Sequence, residues 1–180
     1  MTKRAATTGI VICASITVVL IIALVLVHAY RKITLLAHAV DQSWSDVVAA
    51  ETNRVNIAAQ MTAKPSEAMK KTQSYDALLV AQRGTFQDLS GDSFTAITNF
   101  ENTLATFKTE NNDSIAVSDE LSTFASQLGA TQNGFREDLN AFNAAVGAYN
   151  AAVNAAPSAK VLFFAIKPTF DTSVLTNPTL

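Results

Sequence analysis

Eighteen consecutive residues, Ile10 to Val27 (IVICASITVVLIIALVLV), carry no charge, no glycine and no proline. At about 1.5 Å per residue they make a helix of about 27 Å, and His28 and Ala29 bring it to about 30 Å, one hydrocarbon thickness. Lys3 and Arg4 precede the run, Arg31 and Lys32 follow it, and Tyr30 stands at the far interface. Basic and aromatic residues at those positions suit a spanning helix. A uniformly apolar soluble helix and a cleaved signal peptide are the competing readings. Lys3 and Arg4 could serve as a charged leader, with Val27-His28-Ala29 or Ala37-His38-Ala39 as cleavage sites. The run exceeds the usual length of about 7–15 apolar residues in such leaders, and Arg31 and Lys32 crowd the second cleavage site. A retained anchor is therefore expected. Basic residues stand two against two at its ends, so charge does not set its orientation.

Beyond Lys32 the chain has nine basic and fifteen acidic residues, a net charge of −6. Nucleic-acid affinity comes mainly from phosphate neutralisation, so this balance argues against a nucleic-acid partner. Cys13, the single cysteine, lies inside the apolar run, which excludes an internal disulfide framework and a cysteine-based metal site. The roughly 150 residues after the anchor are enough for one compact domain with its own core.

In that region apolar residues recur at steps of three and four, the spacing of helices. Ile33, Leu36, Val40, Trp44 and Val47 form a stripe that drifts onto Val55, Ala58 and Met61, and neither glycine nor proline separates it from the anchor. One rod is thus expected up to Thr62, ended by Pro65. A second helix is predicted from about Ser66 to Leu89, on the stripe Tyr75, Leu79, Gln82, Phe86 and Leu89. A third follows from about Ser93 to Lys108, capped by Asp92 or Ser93, with Phe94, Ile97, Phe100, Leu104 and Phe107 inward. After a polar loop, Thr109 to Ser114, a fourth runs from about Ile115 to Ala156 and ends at Pro157. Its stripe of Leu121, Phe124, Leu128, Thr131, Phe135, Leu139, Phe142, Val146, Tyr149 and Val153 contains an extra step of four at Phe135 to Leu139. Such a stutter unwinds a supercoil locally, and Gly129 and Gly134 could bend the helix just before it. The expected organisation is a tail (1–9), a transmembrane anchor (10–29), a helical domain (30–156) and a C-terminal tail (157–180) packed on the domain or the membrane interface.

Several of these segments resemble the LemA family of bacterial membrane-anchored helical proteins. Tyr30 follows the anchor, Val40-Asp41-Gln42-Ser43-Trp44-Ser45-Asp46-Val47 is similar to the family pattern V-D-x-x-W-S-x-V, and Arg54 falls at the family's offset from Trp44. Asn56 to Met61 depart from the usual continuation D-L-I-P-N-L. The resemblance resumes without gaps from Leu128-Gly129-Ala130-Thr131-Gln132-Asn133, through Phe142-Asn143-Ala144-Ala145-Val146 and Tyr149-Asn150-Ala151-Ala152-Val153, to Pro157. Ala165-Ile166-Lys167-Pro168-Thr169-Phe170 looks like an altered form of the family's G-F-K-P ending. The stretch from Gly84 to Val117 is similar in character only. The resemblance implies an all-α protein, an N-terminal transmembrane helix continuing into an antiparallel up-down four-helix bundle, single-pass in the cell membrane with its domain on the cytoplasmic side. It implies no reaction.

Reactive residue types do not converge in the sequence. His28 and His38 are ten residues apart, Asp41 pairs with the second alone, and a metal site needs three or four converging ligands. Asp119-Glu120 and Glu137-Asp138 are sequence neighbours and point to different faces of a helix. No serine lies in a Gly-x-Ser-x-Gly turn, and no glycines form a phosphate loop. Catalytic, cofactor and metal residues are accordingly expected to be none, with no small-molecule substrate evident. Trp44 is expected in the core. Asn143 and Asn150 follow Phe142 and Tyr149 at heptad spacing, either fixing register through side-chain hydrogen bonds or forming a ladder for a partner. Arg54 is a further structural or interaction candidate. Phe163 and Phe164, between Lys160 and Lys167, either close the core or rest on the membrane surface. The function expected is a membrane-tethered scaffold or adaptor whose partners are the lipid bilayer and another protein. The rivals are a membrane-bound hydrolase and a secreted helical protein released by signal peptidase.

Overall fold

The computed structural model describes residues 2–156, 159 and 164–171, with side chains from Ala14 onward. The described residues contain helices and no strand: α1 (Thr2–Ala63), a 3-10 turn (Met69–Lys71), α2 (Gln73–Ala81), α3 (Gly91–Glu110), α4 (Asn112–Ala116) and α5 (Asp119–Ala155). The chain divides into two compact units. Met1–Ala39 with Ala148–Lys167 forms unit 1, and Val40–Gly147 with Pro168–Leu180 forms unit 2.

In unit 1, α1 is long and apolar enough to cross a membrane. The large apolar side chains from Ile16 to Val27 other than Leu26 are each 53–70% exposed, on every face of the helix. Ile33 is the first buried position along it, and the Tyr30 ring lies 5.8 Å from that of Phe164. Tyr149 and Val153 of α5 are buried in this unit.

In unit 2, α1 buries Val40, Trp44, Val47, Glu51, Arg54, Ala58 and Met61. Those steps alternate strictly between four and three, so the face does not drift. Val55, expected inward, is only half-buried. The apparent drift arose from passing over two charged residues that occupy core positions. α5 behaves the same way. Its buried residues are Leu121, Ala125, Leu128, Gln132, Phe135, Leu139, Phe142 and Val146, again in alternating steps. Phe124 and Thr131 are half-buried beside Ala125 and Gln132, and the expected stutter is absent. α5 runs unbroken past Gly129 and Gly134, where a Cβ would meet nothing within 4 Å.

The second helix is much shorter than its periodicity implies. α1 stops two residues before Pro65, and the Met69 N–H donates to Ser66 Oγ (3.2 Å) as the chain turns. α2 has nine residues and buries Ser74 and Leu78, not the stripe through Tyr75 and Leu79. It closes in a tight turn in which Arg83 N–H donates to Val80 O and Gly84 N–H to Ala81 O. A Cβ at Gly84 would stand 3.2 Å from both Ala81 O and the Ala96 side chain, tighter than ordinary van der Waals contact, so the close approach to α3 favours a residue without one. Phe86 is buried from non-helical backbone.

Ser90, not Asp92 or Ser93, caps α3, its Oγ accepting the Ser93 N–H at 3.3 Å. The polar loop expected after α3 holds α4 instead, and α5 starts at Asp119, with Ser118 Oγ accepting the Leu121 N–H. Ala58, Met61, Met69, Leu78, Phe100, Leu104, Phe107, Leu121 and Leu128 form a common core of this unit. Fully burying an aliphatic or aromatic side chain contributes roughly 1.5–3 kcal/mol, so this cluster supplies much of the unit's cohesion.

Candidate functional site

Four polar side chains occupy core positions of unit 2. Glu51 and Arg54 come from α1, Glu101 from α3 and Gln132 from α5, with relative exposures of 0%, 1%, 2% and 7%. Arg54 and Glu101 meet fork to fork: Nη1 lies 2.5 Å from Oε1, and Nη2 donates to Oε2 at 3.0 Å. Nη1 also donates to Glu51 Oε2 (3.2 Å), and Nη2 to Gln132 Oε1. Gln132 Nε2 donates in turn to Glu101 Oε2 at 3.3 Å. The guanidinium carbon stands 4.6 Å from the centre of the Phe135 ring, a cation–π distance. One planar cation thus links three helices, which the fixed fork of arginine suits and the point charge of lysine does not.

Two carboxyl groups face one guanidinium in a dry site. Burial pushes Glu51 up to about 8, the neighbouring Glu101 charge pushes the same way, and Arg54 opposes both. Glu51 therefore holds its proton at neutral pH. Its Oε1 has no hydrogen-bond partner among the described residues, an arrangement far cheaper for a neutral carboxyl than for a charged one. Lys108, half-buried on α3, is held below the usual lysine range by burial and then by the Arg54 charge. Such complete burial suits the layer to holding helices in register.

Trp44 is 5% exposed, and its Nε1–H donates to Gln87 O at 3.1 Å. Its ring lies 5.4 Å from Phe94 and 5.2 Å from Phe142, and Phe94 also meets Phe170 edge-on at 5.3 Å. Beside this cluster, Asn143 of α5 clamps the backbone of Phe170. Its Nδ2 donates to Phe170 O, and its Oδ1 accepts Phe170 N–H, both at 2.8 Å. In unit 1 the same clamp recurs. Asn150 Nδ2 donates to Lys167 O (2.8 Å) and Oδ1 accepts Lys167 N–H (2.9 Å). There Tyr149 Oη donates to Ala165 O at 2.9 Å, and the Lys167 ammonium lies 5.6 Å from the Tyr149 ring centre.

The residues singled out by sequence therefore fall into separate places. Arg54 is the centre of the polar layer, Trp44 is core, and Asn143 and Asn150 hold the chain's own C-terminal segment. Phe164 is half-buried in unit 1, its N–H donating to Ala159 O. Phe163, Lys160, Pro157 and the side chain of Ile10 lie outside the described residues, while Val27 is exposed. Among the described residues, no three His, Cys, Asp or Glu side chains are grouped to hold a metal. Asp138 is raised, first by burial and then by Asp46 and Glu137, and Glu120 pairs with Lys64 on the surface at 3.0 Å. Sequence reading missed Glu51, Glu101 and Gln132 as partners of Arg54. A usable signal was present for two of them, because Glu51 and Gln132 continue a four-three pattern of inward positions, whereas Glu101 adjoins Phe100 off that pattern.

Compared with known proteins, the chain matches no family model, no curated protein and no solved structure.

Proposed function

We propose that this chain is a membrane-anchored helical scaffold of the LemA type. In this reading residues 10–29 cross the bilayer once, the helices beyond them form an antiparallel up-down four-helix bundle, and the bundle holds a surface for a protein partner on the cytoplasmic side. The observation that carries it is α1 itself: a 62-residue helix whose apolar side chains from Ile16 to Val27 face outward nearly all round, and whose later positions become a strict heptad of buried residues. In water so large an apolar surface is unfavourable, whereas lipid accommodates it and leaves the helical backbone satisfied. The burial of Arg54 also gives a physical reason for the offset from Trp44 on which the LemA resemblance partly rests. For the partner, unit 2 offers a groove of about 620 Å³ between α2 and α3, lined by Asp76, Ala77, Val80, Gly84, Ala96 and Asn99, with Val80 68% exposed.

Fractionation tests the anchor. The intact chain is expected to stay with membranes through carbonate and high-salt washing, since salt screens surface charge but does not extract a spanning helix. Release of the intact chain by salt alone, or a soluble chain beginning after residue 29, overturns the reading. Crosslinking in native membranes tests the scaffold: a partner joined to the α2–α3 face supports it, and crosslinks confined to lipid or to the chain itself refute it.

A further inference from the structure

The segment 164–171 forms no helix or strand, yet its backbone is bound as though it lay in a sheet. In unit 2 the Asn143 amide takes both the N–H and the carbonyl of Phe170, the pair of bonds a neighbouring strand would exchange with that residue. Recognition of this kind reads main chain, so it accepts many sequences, and specificity is left to side-chain pockets. Here the pocket takes an aromatic ring. Phe170 is buried against Phe94, which is itself packed on Trp44 and Phe142. A groove of about 310 Å³ continues beside it, lined by Phe94, Thr95, Thr98, Thr169, Phe170 and Asp171, so the seat extends past the residue that occupies it. Within unit 1, Asn150 repeats the clamp on Lys167. Pro168, between the clamped residues, favours extended backbone at Lys167 and has no N–H to satisfy.

We infer that the Asn143 face of α5, with the aromatic cluster beside it, is a receptor for an extended peptide bearing an aromatic residue, and that the chain's own Pro168–Phe170 segment occupies it as a tethered competitor. The inference rests on the scaffold reading and adds to it a second surface, apart from the α2–α3 groove, whose ligand has a main chain free to pair and an aromatic ring at the Asn143 position. A tethered segment presents itself at an effective concentration on the order of mM, so the intact chain excludes weak peptides and admits one only when its own segment is displaced.

The test uses the full chain in detergent micelles and a fluorescein-labelled peptide of residues 164–171 (FAIKPTFD), read by anisotropy. Phe170→Ser in the protein vacates the aromatic seat and is expected to raise affinity for the peptide at least tenfold over wild type. Adding Asn143→Ala abolishes that gain, and a peptide with serine for its last phenylalanine fails to bind. A folded Phe170→Ser chain that binds no more tightly than wild type overturns the inference, as does equal binding of the serine peptide. A second variant carries a protease site inserted after Ala156. After cleavage, the inference expects the C-terminal piece to leave on gel filtration, the helical body to keep its melting transition, and the peptide to bind. Loss of that transition, or a piece that stays bound, makes the segment a core element and overturns the inference. Because peptide binding is read in micelles, its failure is distinct from a failure of membrane anchoring or of partner crosslinking.

Discussion

Replacing Glu51 with glutamine imitates the protonated carboxyl that the Arg54 layer holds at neutral pH, and it converts a buried titration into a measurable loss of slope. The folded-state value of about 8 lies about 3.5 pH units above the ordinary 4.5. Between those values the folded chain keeps a proton that the unfolded chain has released, so stability falls as pH rises from 4.5 to 8 and levels off above. At about 1.4 kcal/mol per unit the fall approaches roughly 5 kcal/mol, a ceiling set by any local opening that lets water reach the carboxylate more cheaply. Lys108, shifted downward, acts with the opposite sign: it adds stability as pH rises from its lowered value to the ordinary lysine value of 10.5. Asp138, shifted upward, adds to the fall at acidic pH but is unchanged in the variant. The full chain in micelles is unfolded by urea between pH 5 and 9, with the fluorescence of Trp44, the single tryptophan and a core residue of unit 2, as the reporter. Wild type is expected to weaken steadily to about pH 8, while Glu51→Gln stays nearly flat and overtakes it by several kcal/mol. Parallel stability curves across that range would refute the neutral Glu51.

Other perturbations of unit 2 read the same packing. Trp44→Ala removes a ring that meets Phe94 and Phe142 and a donor to Gln87 O, for an expected loss of roughly 3–5 kcal/mol in urea unfolding followed by circular dichroism; an unchanged midpoint would place the ring on the surface. Arg54→Met leaves Glu51 and Glu101 facing each other without their cation and is expected to cost about 3–5 kcal/mol, whereas replacing Glu51, Arg54, Glu101 and Gln132 together with apolar residues costs far less than the single change. In hydrogen-exchange mass spectrometry the Phe170 amide is expected to be protected despite its irregular backbone, and Asn143→Ala should release it while leaving the Lys167 amide, held by Asn150, protected. Equal release of both amides would show that one asparagine alone secures the whole segment.

Helix existence was legible wherever the apolar period was long. α1 and α5 follow from runs with no internal proline, and both ends of α3 fall within two residues of expectation. Failures have two physical sources. Reading burial as apolarity passed over Glu51 and Arg54, which produced a drift, and over Ala125 and Gln132, which produced a stutter; the structure has neither. α2 failed for the opposite reason, since Tyr75, Leu79, Gln82, Phe86 and Leu89 keep a helical period across a stretch where the helix ends at Ala81 and the chain turns through Arg83 and Gly84. The asparagine spacing was visible, but its bonding to Lys167 and Phe170 was not. A clamp on backbone leaves no trace in the identity of the residues clamped.

The polar layer has a consequence for alignment that an apolar core would lack. α1, α3 and α5 repeat similar apolar residues every seven positions, so sliding one helix by a heptad would rebuild much of the same packing. Arg54 forbids it. Seven residues from Glu101 along α3 stand Phe94 and Lys108, and seven from Gln132 along α5 stand Ala125 and Leu139. A slide of α3 would set Arg54 against a ring or against a second cation, and a slide of α5 would replace the Gln132 oxygen with a methyl-bearing side chain. Either leaves a buried guanidinium short of its partners, a loss of several kcal/mol in a protein stable by about 5–15. The layer gives up some stability relative to apolar residues at the same positions, as polar core residues do when they fix register. A single alignment of the three helices pairs Arg54 with a carboxylate and an amide at once. That same alignment places Trp44 against Phe94 and Phe142, the cluster on which Phe170 is seated.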